Sequence, residues 1–228
     1  MPTILFASSK GGCSKSTSSV VLGTQLALSG ADVTIIDADP NQPIAYWAEL
    51  PGKPDNLAVE ADVSERTIID RIEDAAQKTP FVIVDVEGTA SVTVAYAISR
   101  ADLVIIPVQG SQLDAREAVK AINLIRRQEE GFGRPIPFAA LLTRTSAAIQ
   151  PRTLRFIRSE LEGAGVPVFH TQMHEREAFR AIFSFGGTVE ALSPDQVGGL
   201  EGAVKNARAF AEEVVAMLTQ QVTEGVEA

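Results

Sequence analysis

Short apolar runs alternate along this chain with longer stretches whose apolar positions recur every three or four residues. The runs read as strands buried on both faces and the periodic stretches as amphipathic helices. The pattern predicts strands at 2–8, 32–37, 57–60, 81–85, 103–108, 137–143 and 166–169. It predicts helices at 16–29, 42–49, 65–77, 90–99, 112–129, 149–163, 175–183 and 199–221. Ser64 ahead of Glu65 reads as an N-cap. Pro80, Pro107, Pro135, Pro137 and Pro167 punctuate the elements. Strand–helix alternation implies an α/β fold: a mostly parallel, doubly wound sheet with helices on both faces. No internal repeat, low-complexity tract or linker interrupts it, so residues 1–228 read as a single domain.

Two of the strand ends carry candidate chemistry. The run Ile4-Leu5-Phe6-Ala7 is followed by Ser8-Ser9-Lys10-Gly11-Gly12-Cys13-Ser14-Lys15-Ser16-Thr17 and then by the amphipathic stretch 20–28. A strand, tight turn and helix start in that order present backbone N–H groups and a helix N-terminus to a phosphate. Lys15 is placed to reach β/γ-phosphates, and the Ser16 hydroxyl to ligate Mg²⁺. The Gly-x4-Gly-Lys-Ser/Thr spacing is not met, because Ser9 and Ser14 replace its framing glycines. If Ser14 must adopt a positive φ, the strain costs about 1–2 kcal/mol. Charge-assisted phosphate contacts of about 1.5–3 kcal/mol each outweigh it. Lys10 adds a second lysine at the head of the loop.

The run Val33-Thr34-Ile35-Ile36 ends in Asp37-Ala38-Asp39, and Phe81-Val82-Ile83-Val84 ends in Asp85. Ligands of open α/β sheets gather at the strand C-termini. Asp39 is placed to orient or activate an attacking water, and Asp37 to hold Mg²⁺ through water. Asp85 is a further Mg²⁺ ligand candidate. An ordinary acidic turn is the alternative for Asp37 and Asp39. Glu87, two residues after Asp85, reads as a surface loop charge.

Bulk properties narrow the class. Apolar residues make up 45% of the chain, enough for a large core. No uninterrupted apolar stretch approaches the ~18 residues of a membrane span. The chain enters a strand at once, with no signal-peptide pattern and no module ahead of the first strand. Cys13 is the single cysteine, which fits a reducing cytoplasm and cannot alone supply the thiolates of an iron–sulfur cluster. It reads as partly exposed at a helix N-terminus, a setting that lowers thiol pKa, or as a small residue that merely fits. Net charge is −9, yet Arg116, Lys120, Arg126, Arg127, Arg134, Arg144, Arg152, Arg155 and Arg158 outnumber Glu117, Glu129 and Glu130 in one stretch. Screening acts over about 8–10 Å, so a local basic face can still meet DNA.

The loop containing Lys10 and Lys15 resembles the deviant Walker A motif of the ParA/MinD family of P-loop ATPases, Lys-Gly-Gly-x-Gly-Lys-Ser/Thr-Ser/Thr. Asp37-Ala38-Asp39-Pro40-Asn41 is similar to that family's Asp-x-Asp-Pro-Gln, and 81–85 to its Walker B strand. Asp85-Val86-Glu87-Gly88 is closer to the Asp-Gly-Ala-Gly of short ParF-like plasmid partition ATPases. Ala101-Asp102-Leu103-Val104-Ile105-Ile106-Pro107-Val108 matches Ala-Asp-x-x-Ile-Ile-Pro-Val, and the resemblance implies that the polar loop after it, Gln109-Gly110-Ser111-Gln112-Leu113-Asp114, lies near the nucleotide and the dimer interface. VirC-type relatives of DNA transfer are also similar, across Met173-His174-Glu175-Arg176-Glu177-Ala178-Phe179.

The resemblance implies ATP and Mg²⁺ as cofactors, with Lys10, Lys15 and Asp39 catalytic. Gly11, Gly12, Cys13, Ser14, Lys15, Ser16 and Thr17 would hold phosphates, and Arg144, Thr171 and Met173 the base. Ser16, Asp37 and Asp85 would hold the metal. It implies an ATP-dependent homodimer in which each Lys10 crosses to the partner's phosphates. It further implies sequence-independent DNA binding, and a small centromere-binding or adaptor protein that stimulates slow hydrolysis. Cargo would be segregated or positioned on the nucleoid, with no membrane involved. Candidate DNA contacts are Arg152, Arg155 and Arg158, at i, i+3 and i+6 on one helix side, with Arg176 and Arg180. A solvated basic face is the alternative. A MinD-like, membrane-recruited positioner needs a basic amphipathic C-terminal helix. Leu200, Val204, Phe210, Val214 and Leu218 form an apolar stripe, but Glu201, Glu212, Glu213, Glu224 and Glu227 around it favour a core-docked helix. His170, His174 and Glu175 read as loop polar groups rather than a metal site.

Overall fold

Strand and helix alternate in the computed structural model, which describes residues 1–8, 10–88 and 91–227. Ser9 and residue 90, where the first turn of one helix was expected, lie outside these. The order is β1 (Thr3–Phe6), α1 (Lys15–Leu28), β2 (Val33–Ala38), α2 (Pro43–Glu49), β3 (Leu57–Glu60) and α3 (Ile68–Lys78). There follow β4 (Phe81–Val86), α4 (Val92–Ile98), β5 (Leu103–Val108), α5 (Gln112–Phe132) and β6 (Phe138–Thr145). The chain continues through α6 (Arg152–Gly163), β7 (Met173–His174), α7 (Glu177–Phe185), a 3-10 turn (Val189–Ala191) and α8 (Leu200–Glu227).

The seven strands form one parallel sheet in the order β3-β2-β4-β1-β5-β6-β7. Alternation along each strand feeds two cores. Ile4, Phe6, Ile35, Ile83, Ile105 and Leu141 pack with α1, α2, α7 and α8 on one face. Leu5, Ile36, Val84, Val104, Ile106 and Leu142 pack with α3, α4, α5 and α6 on the other. Both faces are therefore dry, which is why the strands read as unbroken apolar runs. The stripe on α8 docks into the first core, with Phe210 and Val214 fully buried.

Two expectations are corrected. Residues 166–169 do not form a strand: Val168 makes only an isolated bridge to Ala140, and Met173–His174 pairs with β6 instead. Pro167 lacks an N–H to extend that bridge backwards, and the N–H groups of His170 and Thr171 are both taken by Glu213. Ser64 is not a side-chain N-cap of a helix at 65. Its carbonyl accepts the N–H groups of Thr67 and Ile68, and the helix starts at Ile68.

Strand order reverses beside β1, flanked by β4 and β5. Chains leaving β1, β2, β4 and β5 thus converge at one edge, where such folds take ligands.

Candidate functional site

Pairing register brings the acids together. Asp37 on β2 lies directly opposite Asp85 on β4, and Asp85 opposite Phe6, the last residue of β1. The loop after β1 therefore emerges beside both carboxylates. Ser16, in the first turn of α1, donates its hydroxyl to Asp85 Oδ2 at 2.5 Å. Asp85 is fully buried, and burial pushes its carboxyl up to about 7, against the lowering effects of the Ser16 hydrogen bond and the Lys15 charge. Asp37, 1% exposed, is also raised by burial, while N–H groups of Ala45, Ile44 and Asp39 oppose the shift. Its Oδ2 accepts from Ile44 and Ala45 at 2.8 and 2.9 Å, capping α2. Asp37 is thus engaged by the fold, whereas half-buried Asp39 sits one step beyond the strand in an Asx turn with Asn41.

The loop itself is shaped for an anion. Gly12 and Ser14 both have φ of 76°, so the strain anticipated at Ser14 is present. Lys15 is only 5% exposed. No acidic residue or side-chain cap occupies the first turn of α1, whose N–H groups and dipole favour negative charge. Gln109 donates to the Gly12 carbonyl at 2.8 Å, and Thr143 to the Cys13 carbonyl at 3.1 Å. Gly88, after the Asp85 strand, packs on the loop head: a Cβ there would lie 2.5 Å from Gly11 N and from Lys10 C. Cys13 is buried, its Sγ 2.9 Å from Ser8 Oγ, which corrects the expectation of a partly exposed thiol.

Lys10 is paired within its own chain. Its Nζ lies 2.9 Å from Asp114 Oδ1, and Asp114 also accepts the hydroxyl of Ser111, the N-cap of α5. Burial alone would push Asp114 up, but Ser111 and Lys10 hold it below its ordinary value; the Asp114 hydrogen bond raises Lys10. The resemblance puts the loop holding Gln109 and Asp114 near the nucleotide but gives neither residue a partner, because Gly12 and Lys10 lie about a hundred residues away and no local spacing announces them.

Beside the loop, Ser14, Thr17 and Ser18 face Arg144, Met173, His174 and Glu175 across a cleft. Arg144 has a φ of 52° where the β6–β7 register slips. Its Nε lies 3.7 Å from Glu175, which also pairs with Arg180. Arg144 and Met173 are thus brought to the cleft. Thr171 is not: its N–H goes to Glu213 and its hydroxyl to Ala209 on α8.

The five arginines do not form one surface. Arg152 and Arg155 are exposed on α6. Arg158 is folded inward, donating to the Phe169 carbonyl at 2.6 Å and pairing with Glu162. Arg176 and Arg180 line the cleft beside Ser14.

Comparison with known proteins places the chain. The profile of the family described as VirC1 protein matches residues 1–228. "Protein ParA" of Rhizobium radiobacter is 40% identical over 96% of this chain and 99% of its own length. The structure of apo McdA from Cyanthece covers 90% of this chain and 99% of its own, at 17% identity and TM-score 0.71. A Borrelia burgdorferi plasmid partition protein bound to AMPPNP covers 93% and 99%, at 19% identity and TM-score 0.66. The chain belongs to the VirC1 protein family and is a relative of ParA.

Proposed function

We propose that this protein is a ParA-type switch: it dimerises on ATP, binds DNA without sequence preference, and hydrolyses ATP slowly to segregate or position a plasmid, chromosome region or other cargo. The observation that carries the reading is the convergence on one loop of Lys10, buried Lys15, Ser16 on Asp85, and Asp39 at the rim. The donor set fits Mg²⁺, a hard cation that takes oxygen ligands. A cation held by Ser16 and Asp85, with Asp37 behind them, would favour the ionised form of a carboxylate that burial otherwise disfavours. When bound, Mg²⁺ supplies charge neutralisation at the phosphates.

Each residue then has a task. Lys15 and the N–H groups of 11–17 hold the phosphates. Asp39 orients the attacking water. Arg144 and Met173 flank the nucleoside. Lys10 moves from Asp114 to the partner's phosphates, adding positive charge where the transition state needs it. Arg152 and Arg155, exposed on α6, are the DNA candidates on the surface. A small centromere-binding adaptor would stimulate hydrolysis, and the protein would reside in the cytoplasm on the nucleoid. Among the described residues no helix is long and apolar enough to cross a membrane. A second reading, a VirC-type ATPase of DNA transfer, is favoured by the family match over the whole chain; it shares the same switch.

The test is ATP turnover with Mg²⁺, with EDTA, and in Asp39→Ala. Turnover that needs Mg²⁺ and drops a hundredfold or more in the variant, as removal of a positioned acid–base group does, supports the reading. A wild type that does not turn over ATP with any DNA or adaptor present overturns it.

A further inference from the structure

The wall of the cleft opposite the phosphate loop is built from residues 173–176, a stretch with only a two-residue strand of its own. Its position is set from outside, by β6 along one edge and by α8 along the other. Asn206 on α8 accepts the His174 N–H at 2.9 Å through Oδ1 and donates through Nδ2 to the Gln172 carbonyl at 2.7 Å. Glu213, also on α8, accepts the N–H groups of His170 and Thr171 at 2.7 Å each, one on each carboxylate oxygen. Two side chains thus satisfy four backbone groups of a five-residue segment.

The spacing is matched. Residues seven apart lie on one helix face, about 10 Å apart along the axis. The segment from His170 to His174, bent at its first two residues, can span at most about 13 Å, enough to reach both side chains. The segment is therefore laid along α8 and clamped at both ends. Asn206 is 8% exposed and does not itself line the cleft; it reaches the cleft through the His174 N–H. It has no route to a ligand except through the segment it holds.

We infer that Asn206 and Glu213 are positioning residues for nucleotide recognition, and that α8 sets the geometry of the nucleoside wall. The inference rests on the nucleotide reading above. Met173, His174 and Glu175 are presented to the cleft only while their backbone is fixed. β6 supplies pairing at one edge, and α8 supplies the rest. Removing either clamp frees a stretch that must then be ordered at each binding event, which weakens affinity. It does so without touching the phosphate loop.

The experiment measures ATP dissociation constants by calorimetry, melting temperatures and backbone amide exchange. The proteins are wild type, Asn206→Ala, Glu213→Gln and Leu218→Ala. Glu213→Gln keeps size and one acceptor oxygen, so it folds. Leu218→Ala removes buried α8 packing away from the wall and reports destabilisation alone. The expected result is about tenfold weaker ATP binding in the first two variants, the size expected when a well-made hydrogen bond is lost. Exchange should be faster at His170, Thr171 and His174. Leu218→Ala should melt earlier yet bind ATP as wild type does. Wild-type ATP affinity in both clamp variants overturns the inference, as does equal weakening in Leu218→Ala. A wild type that does not bind ATP overturns the nucleotide reading itself.

Discussion

The Lys10 ammonium lies 2.9 Å from the Asp114 carboxylate of the same chain, so the lysine at the head of the phosphate loop is held by the N-terminus of α5. Lys10 is half exposed and Asp114 nearly buried, so the carboxylate stays fixed and the lysine moves. In the proposed dimer Lys10 must leave Asp114 for a phosphate. Asp114→Asn removes the competing charge and keeps the shape. ATP-dependent self-association, measured by sedimentation, should strengthen about two- to fivefold, the scale of a partly exposed ion pair. Ser111 and Lys10 hold the Asp114 carboxyl below its ordinary value. The pair is therefore fully formed at neutral pH and is lost only as pH falls through the acidic range.

Gly88 touches the same loop from the other side. Its missing Cβ is what allows the chain after Asp85 to rest on Lys10 and Gly11. Gly88→Ala forces one backbone away from the other, an overpacking cost of about 1–3 kcal/mol. Calorimetric ATP affinity should fall at least about tenfold, the equivalent of ~1.4 kcal/mol. Circular dichroism should show an unchanged secondary structure. Unaltered ATP affinity would contradict the contact.

Ser14 holds a left-handed conformation at φ 76°. Ser14→Gly should relieve strain of about 1–2 kcal/mol, less about 0.5–1 kcal/mol for the extra freedom of glycine in the unfolded chain. The net expectation, read by urea denaturation, is a gain of up to about 1.5 kcal/mol. A loss of stability would mean that the Ser14 side chain contributes more than its backbone costs.

Much of this arrangement was legible in the residues. The loop from Ser8 to Thr17, the acids at the ends of β2 and β4, and the alternation of strand and helix are local patterns, and local patterns survive folding. What was not legible depends on distant partners. Val168 looked like a strand residue, but Pro167 has no N–H and Glu213 takes the N–H groups of His170 and Thr171, so the bridge is not extended on either side. Thr171 looked like a base contact, yet its groups are taken by α8. Arg158 shares its helix spacing with Arg152 and Arg155 but turns inward to the Phe169 carbonyl. Asp37 and Asp85 look alike as strand-end acids. Only their hydrogen-bond partners show that Asp37 caps α2 while Asp85 meets Ser16.

In the proposed switch, ATP and Lys10 together bring the protein onto DNA. The most direct measurement is binding to a random-sequence DNA duplex with ATP, ADP and no nucleotide, at two salt concentrations, for wild type and Lys10→Ala. Binding is expected only with ATP, to be lost in Lys10→Ala, and to fall steeply with salt, since phosphate contacts release counterions. Equal binding in every nucleotide state, or undiminished binding by Lys10→Ala, would contradict it.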